Sequence, residues 1–191
     1  NDQFIGLFPG SREQELENHL DIMIASALKI QENHSDIKFV IGMAPGRDFA
    51  QYREKYQFEW LKWVGGQNDA IMQQADFLIM VSGTASLEAA LLGTPMVIIY
   101  KTSAFTYHLA RLVAKVDFIG LANLIAGREG IHELIQKNVT PDHIYEEVHA
   151  YLTSSTEKER FQKFYKEVKE KIGPAGASKK AAGIILAELQ A

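Results

Sequence analysis

The sequence contains no cysteine, so disulfide bonds, thiolate metal sites and cysteine nucleophiles are excluded. It also lacks a long apolar segment, since its longest stretch without a charged residue is the twelve residues between Glu88 and Lys101. A membrane-spanning helix needs about 20 apolar residues, so we expect none. Basic residues are not in excess either, because 20 Lys and Arg stand against 24 Asp and Glu. The net charge of −4 argues against nucleic acid as the main partner.

Several familiar signatures of nucleotide-binding and catalytic sites are missing as well. There is no Gly-x-Gly-x-x-Gly, no Gly-x-x-x-x-Gly-Lys-Ser/Thr and no Gly-x-Ser-x-Gly. The six histidines form no His-x-x-x-His pair, and no Ser–His–acid set is evident. We therefore expect no metal site, no cofactor and no acyl-transfer chemistry.

The 191 residues, 47% of them apolar, are enough for one domain with a substantial core. Up to about residue 140, short apolar runs alternate with segments of helical periodicity. The apolar runs lie at 4–8, 38–42, 58–64, 77–81 and 96–100. Alternation of this kind favours parallel strands joined by right-handed crossovers. The sequence therefore predicts an α/β fold, a Rossmann-like doubly wound parallel sheet.

The pattern changes after Tyr100. We expect a helix over 105–114, an extended segment over 118–123 and a short helix over 132–137. Three further helices are predicted over 141–152, 156–172 and 177–190. We therefore divide the chain into a lobe over residues 1–152 and a helical extension over 153–191, which either packs on that lobe or crosses to another lobe of the protein.

Two strand-to-helix turns of the predicted sheet carry small polar residues, at 9–12 and at 82–86. In an open parallel sheet, ligands bind outside the carboxyl ends of the strands, where these turns lie. Each turn places free backbone N–H groups and a positive helix end where an anion could rest. Either turn could equally be an ordinary turn with a helix cap. The candidate anion-binding residues are Ser11, Arg12, Ser82, Gly83 and Thr84.

Glu88 follows the second turn by about one turn of helix. An acidic side chain there is suited to accept hydrogen bonds from two vicinal ribose hydroxyls, as in other nucleotide-binding folds. The alternative is a carboxylate that interacts with the helix dipole.

Five stretches of the sequence, in order, resemble motifs of the lipid-A-disaccharide synthase family. The longest is Ser-Gly-Thr-Ala-Ser-Leu-Glu-Ala-Ala-Leu-Leu-Gly-Thr-Pro-Met over 82–96. Residues 8–12 (Phe-Pro-Gly-Ser-Arg) are similar to the family's Leu-Pro-Gly-Ser-Arg turn. The remaining matches are Asn-Leu-Ile-Ala-Gly-Arg over 123–128, Glu-Leu-Ile-Gln over 133–136 and Gly-Ala-Ser over 176–178. Together they cover almost the whole chain.

The resemblance implies an inverting, metal-independent glycosyltransferase of the two-lobed GT-B fold, with this chain as its C-terminal, donor-binding lobe. The family transfers 2,3-diacylglucosamine from UDP-2,3-diacylglucosamine to 2,3-diacylglucosamine 1-phosphate and releases UDP. Its general base lies in the N-terminal lobe, so no catalytic residue is expected here. The start at Asn1, without methionine, suggests an upstream part.

The resemblance also implies roles for particular residues. Asn123, Glu133 and Gln136 would face the donor sugar or its phosphate. Ala122 and His132 stand where the family usually has proline, which would fix the entry of each loop.

The expected partners are UDP, its lipid-linked sugar, a lipid acceptor and a membrane. Residues 157–180 carry eight basic and four acidic side chains. This excess fits either a solvated, ion-paired helix face or attraction to an anionic membrane surface. The family works in Gram-negative bacteria as peripheral cytoplasmic proteins at the inner face of the inner membrane, and a second copy of the chain is a further candidate partner.

Two other functions remain open from the sequence. One is a UDP-sugar epimerase of the same fold. The other is a non-catalytic nucleotide-binding module.

Overall fold

The computed structural model describes residues 3–103, 106–107, 117–174 and 176–189. The strands of this part of the chain are β1 (Phe4–Phe8), β2 (Lys38–Met43), β3 (Leu61–Gly65), β4 (Phe77–Val81), β5 (Met96–Tyr100) and β6 (Glu133–Ile135). They form one sheet in the order β3-β2-β1-β4-β5-β6, and every neighbouring pair is parallel. This is the strand order of a doubly wound nucleotide-binding sheet. The predicted fold class is confirmed.

Helices cover and connect these strands. Those described are α1 (Glu13–Asn33), α2 (Ala50–Lys55), α3 (Asn68–Gln74), α4 (Thr84–Leu92), α5 (Leu121–Ala126), α6 (Pro141–Thr153), α7 (Ser155–Ile172) and α8 (Ala177–Leu189), with a 3₁₀ turn at Gln136–Asn138. The helix predicted over 105–114 lies outside the described residues except for Thr106 and Tyr107. None of these helices is both long and apolar enough to cross a bilayer.

Two predictions for the region after β5 are wrong. Residues 121–123 of the segment predicted to be extended instead begin α5, and Gly127, which follows this helix, adopts the left-handed conformation with φ 70°. The helix predicted over 132–137 is instead β6 followed by the 3₁₀ turn. The N–H of Ile98 donates to the carbonyl of His132 at 3.0 Å, so pairing with β5 determines this conformation.

The core lies on both sides of the sheet. All five residues of β4 are buried, as expected for a central strand covered on both faces. Helix α7 buries Phe161, Phe164, Tyr165 and Val168 in the same core, so the first helix of the predicted extension packs on the lobe. Four large apolar side chains of α8 remain exposed: Ile184, Ile185, Leu186 and Leu189.

The strand order creates a crevice between β1 and β4. These strands are neighbours, with Phe8 in register with Met80. After β1 the chain proceeds to β2 on one side of the sheet, and after β4 it proceeds to β5 on the other. A reversal of this kind leaves a gap beyond the carboxyl ends of the two strands, where such folds bind their ligands.

Candidate functional site

A cavity of about 390 Å³ lies at this crevice. Both turns that the sequence indicated border it, together with the end of β2 and the start of α3. Its lining residues are Phe8, Gly10, Ser11, Arg12, Glu15, Gly42, Ala44, Asn68, Met80, Val81, Ser82, Gly83, Thr84 and Ala85. The structure therefore brings together Ser11, Arg12, Ser82, Gly83 and Thr84, as predicted for residues at one edge of the sheet.

The turn after β4 presents an open helix N-terminus to the cavity. Gly83 precedes α4 with an extended backbone, and no described side chain caps the helix there. A Cβ added to Gly83 would meet no atom within 4 Å, so a ligand has room to approach this backbone. The hydroxyl of Ser86 donates to the carbonyl of Gly83 at 2.7 Å, and that of Ser82 donates to the carbonyl of Ile119 at 3.0 Å. The first N–H groups of such a helix attract an anion.

The turn after β1 is occupied by the protein's own carboxylate. Oε2 of Glu15 accepts the N–H groups of Ser11 at 2.8 Å and of Arg12 at 3.1 Å. The Arg12 side chain is 83% exposed, and its Nη1 lies 3.2 Å from Oε1 of Glu15. The prediction that both turns offer free N–H groups is therefore wrong for this one. Its signal in the sequence is an acid three residues after the helix cap, a spacing typical of capping.

Arg47 binds the turn after β1 without lining the cavity. Its Nη1 donates to the carbonyl of Ser11 at 2.7 Å, and its guanidinium pairs with Glu13. The hydroxyl of Tyr52 donates to the same Glu13 carboxylate at 2.5 Å. These contacts fix the backbone that carries the Ser11 and Arg12 amides.

Asn68 is a lining residue that the sequence reasoning missed. It begins α3, and its Oδ1 is a buried atom without a hydrogen-bond partner among the described residues. It follows β3 at the same edge of the sheet, and this position after a strand is the signal that could have identified it.

Glu88 lies outside the cavity lining. It is exposed on α4 and borders a separate depression between α3 and α4, which it shares with Asp69 and Gln73. Thr84 is four residues earlier and so shares the Glu88 face of the helix. The cavity at Thr84 and the depression at Glu88 thus follow one another along α4.

Asn123 and Glu133 form a hydrogen-bonded network instead of lining the cavity. Asn123 is fully buried, and its Nδ2 donates to the carbonyl of Ile131 at 2.7 Å and to Oε1 of Glu133 at 2.8 Å. Its Oδ1 accepts the N–H groups of Gly130 at 2.9 Å and Ile131 at 3.0 Å. Because these bonds use the donor and acceptor capacity of the amide, the structure supports a positioning role for Asn123.

Glu133 fixes the segment that follows the undescribed residues 108–116. Its carboxylate accepts the N–H groups of Ile119 at 2.7 Å and of Gly120 at 2.9 Å. Ile119 is also the residue whose carbonyl accepts the Ser82 hydroxyl. The network therefore reaches the cavity through Ser82.

Gln136 fixes the chain where it leaves β5. Its Oε1 accepts the N–H of Thr102 at 2.8 Å, and its Nε2 donates to the carbonyl of the same residue at 3.1 Å. Its backbone has φ 53°, a conformation unusual for a residue other than glycine. Gln136, like Asn123 and Glu133, is absent from the cavity lining.

Two histidines show opposite pKa shifts. Burial lowers the pKa of His19, a fully buried residue of α1 whose ring accepts the N–H of Lys101, the residue after β5. The side-chain hydrogen bond with Glu147, at 2.6 Å, raises the pKa of His132. His132 thus ties the start of β6 to α6 and lies outside the cavity lining.

Part of the basic excess in α7 has structural partners. Lys171 donates to the carbonyl of Ala126 at the end of α5, and Arg160 donates to the carbonyl of Gly130. Lys171 also pairs with Glu167, which in turn binds Arg128. These side chains connect α7 to α5 and to the residues that follow α5, and these contacts fix their positions.

A family model described as lipid-A-disaccharide synthetase matches residues 1–186. The lipid-A-disaccharide synthase of Geobacter sulfurreducens is 37% identical over 184 residues, which cover 95% of this chain and 48% of that protein. The enzyme of the same name from Trichlorobacter lovleyi is 35% identical over 191 residues, 98% of this chain and 50% of that protein. The chain thus spans about half the length of these relatives.

Solved structures of glycosyltransferases and epimerases share the fold. The calicheamicin glycosyltransferase CalG4 aligns with a TM-score of 0.62 at 16% identity, over 100% of this chain and 44% of CalG4. The UDP-GlcNAc 2-epimerase of Neisseria meningitidis, bound to UDP-GlcNAc, aligns with a TM-score of 0.64 at 18% identity. That alignment covers 97% of this chain and 45% of the epimerase. The sheet and its helices therefore match somewhat less than half of each of these two proteins.

Proposed function

Since the chain belongs to the lipid-A-disaccharide synthetase family, we propose that it is the donor-binding half of a glycosyltransferase. The reaction moves 2,3-diacylglucosamine from UDP-2,3-diacylglucosamine to 2,3-diacylglucosamine 1-phosphate, with release of UDP. The acceptor hydroxyl oxygen bonds to the anomeric carbon, the bond from that carbon to the UDP oxygen breaks, and a general base takes the hydroxyl proton.

The observation that carries the proposal is the uncapped N-terminus of α4, which opens onto the cavity between β1 and β4. Its N–H groups and helix dipole stabilise negative charge, and this charge grows on the departing diphosphate as the glycosidic bond breaks. Gly83 leaves room for close approach, and the exposed Arg12 guanidinium is the cation that borders the same cavity. The donor's diphosphate would thus lie between Thr84 and Arg12.

The nucleoside would extend along α4. Glu88 lies one helical turn beyond Thr84 on the same face, in the depression between α3 and α4. A ribose placed there would donate its two hydroxyls to the Glu88 carboxylate. This arrangement keeps the acid one turn away from the diphosphate that it would otherwise repel.

We propose that the backbone next to the hydrogen-bonded network of Asn123 and Glu133 contacts the donor sugar. Asn123 and Glu133 themselves act indirectly, by positioning this backbone. Their hydrogen bonds hold Ile119 and Gly120, and Ile119 in turn accepts the Ser82 hydroxyl. Loss of either side chain would therefore misplace the turn at Ser82. We assign the general base to the half of the enzyme that this chain does not cover, as the family resemblance implies.

Membrane attachment at the cytoplasmic face of the inner membrane is part of the proposal. Both sugar substrates carry acyl chains, so the enzyme must meet them at a lipid surface. On α7 the exposed Lys166 and Lys163 supply positive charge toward anionic lipid, although Lys163 Nζ also lies 3.8 Å from Oε2 of Glu159.

Calorimetric titration of UDP into the protein tests the donor site. We expect saturable binding of UDP and much weaker binding of uridine, because the diphosphate supplies the contacts at α4. A lack of binding at millimolar UDP would remove the basis of the proposal. If the complete enzyme instead converted UDP-N-acetylglucosamine without any lipid acceptor, the epimerase alternative would replace it.

A further inference from the structure

Glu15 holds the donors that an anion entering the first turn would use. One carboxylate oxygen accepts the N–H groups of Ser11 and Arg12, at 2.8 and 3.1 Å, and the other is 3.2 Å from Nη1 of Arg12. Two successive amides and a guanidinium around one carboxylate are the contacts that proteins offer to a phosphate. The side chain of Glu15 thus occupies a phosphate position with a group of the same sign.

Gly10 makes this arrangement possible. Its φ of 104° favours glycine, and a Cβ placed there would lie 2.4 Å from Oε2 and 2.5 Å from Cβ of Glu15. The Glu15 side chain therefore fills space that exists only because residue 10 has no side chain. The carboxylate is built into the turn, and its own side chain is 20% exposed toward the cavity.

The two turns that border the cavity differ in charge. The first turn of α4 contains no acidic residue, so its N–H groups meet an anion without opposition. In the turn after β1, the negative charge of Glu15 cancels the positive charge of Arg12. Two anions cannot share the same pair of amides, since like charges at contact distance repel strongly. A diphosphate that bridges the cavity must therefore move Glu15 away from Ser11 and Arg12.

We infer that Glu15 is an internal competitor of the nucleotide, which the diphosphate displaces from the Ser11 and Arg12 amides and which returns when UDP leaves. The inference rests on the proposed function, because it requires the diphosphate to reach this turn. Its consequence for catalysis is weaker retention of the product UDP. Glu15 acts through the amides and Arg12 and is a positioning residue.

Glu15→Gln tests the competition, because glutamine keeps the size of the side chain and an acceptor oxygen but removes the charge. We expect UDP to bind about tenfold more tightly to this variant, as one charged hydrogen-bond partner no longer competes. Uridine, which has no phosphate, should bind the variant and the wild type equally. Glu17→Gln is the matched control, since it removes one negative charge from the exposed face of α1 outside the cavity lining.

The outcomes separate the inference from the proposed function. Wild-type protein that fails to bind UDP overturns both. Wild-type protein that binds UDP while Glu15→Gln binds it equally or more weakly, relative to Glu17→Gln, overturns the inference alone. An equal gain in uridine affinity would also overturn it, because the gain would then not involve phosphate. Thermal unfolding of each variant shows that the affinities compare folded proteins.

Discussion

The backbone N–H of Lys101 donates to Nε2 of His19 over 2.8 Å, joining the residue after β5 to the N-terminal third of α1. The other ring nitrogen, Nδ1, lies 2.6 Å from the carbonyl of Glu15 and must therefore carry the proton. The ring is fully buried and neutral. One side chain thus links the α1 turn that lines the cavity to the exit of β5.

Acid should weaken this link. Because burial lowers the pKa of His19, the folded protein binds fewer protons there than the unfolded chain, and the free energy of unfolding falls as pH drops below about 6.5. The contribution is at most about 1.4 kcal/mol for each unit by which the pKa is lowered. Urea unfolding of wild type and His19→Gln at pH 7.5 and 5.5 measures it, and the difference between them should shrink at pH 5.5. The exposed His143→Gln is the control. A wild-type advantage over His19→Gln that is the same at both pH values would contradict the account.

Replacing Asn123 with aspartate should destabilise the fold severely. The change keeps the acceptor for Gly130 and Ile131 but turns a donor into a carboxylate oxygen that faces Oε1 of Glu133. A buried, uncompensated charge of this kind costs about 3–5 kcal/mol. Urea unfolding should show this loss, while the exposed Asn138→Asp should change stability by about 0.5 kcal/mol or less. Unchanged stability together with lost UDP affinity would instead support a direct contact of Asn123 with the donor.

Gly130→Ala should disturb the packing of α7. A Cβ at this buried position would lie 1.9 Å from the Phe164 ring, which is itself enclosed in the core. Overpacking of this kind costs about 1–3 kcal/mol. Gly183→Ala on the exposed α8 is the matched control, because its Cβ would meet no atom within 4 Å. If thermal unfolding showed the same stability for both variants, the close packing of Gly130 against Phe164 would be contradicted.

Glu88→Ala should weaken UDP binding by about 1–3 kcal/mol, the range expected for losing a charged hydrogen-bond partner. The loss should disappear when the ligand is pyrophosphate, which has no ribose. Calorimetry with both ligands measures this, with the exposed Glu59→Ala as the control variant. Equal UDP affinity in the wild type and Glu88→Ala would show that the acid does not hold the ribose.

Exchange of Lys163 and Lys166 for glutamine should reduce sedimentation with anionic vesicles, and high salt should reduce it for the wild type too. The pair Lys62→Gln and Lys137→Gln removes the same charge elsewhere on the surface and should have little effect. Vesicle binding that is unchanged both by high salt and by the substitution of Lys163 and Lys166 would exclude electrostatic attachment through α7.

Strands β1 to β5 could be predicted from the sequence because each of them is a distinct apolar run. The five consecutive apolar residues of β4 fit only a central strand that is buried on both faces. Once β1 and β4 are assigned, the small residues after Phe8 and Val81 must lie at the carboxyl ends of these strands. The resemblance to the family is confirmed by the match over residues 1–186. Where local pattern and tertiary structure agree, the prediction succeeded.

The region around Asn123 shows why the remainder could not be predicted. The apolar run before Gly127 has no helical periodicity, and its conformation depends on bonds from Asn123 to residues seven and eight positions later. β6 has only three residues and needs β5 as a partner to form. A motif at Asn123 and Glu133 indicated importance, but the sequence did not distinguish contact with a ligand from support of a loop.

The most direct test of the donor site is a crystal structure of the protein with UDP. We predict diphosphate oxygens within hydrogen-bond distance of the N–H groups that begin α4, at Thr84 or Ala85, with the Arg12 guanidinium facing them. UDP bound elsewhere, with the cavity between β1 and β4 empty, would contradict the account.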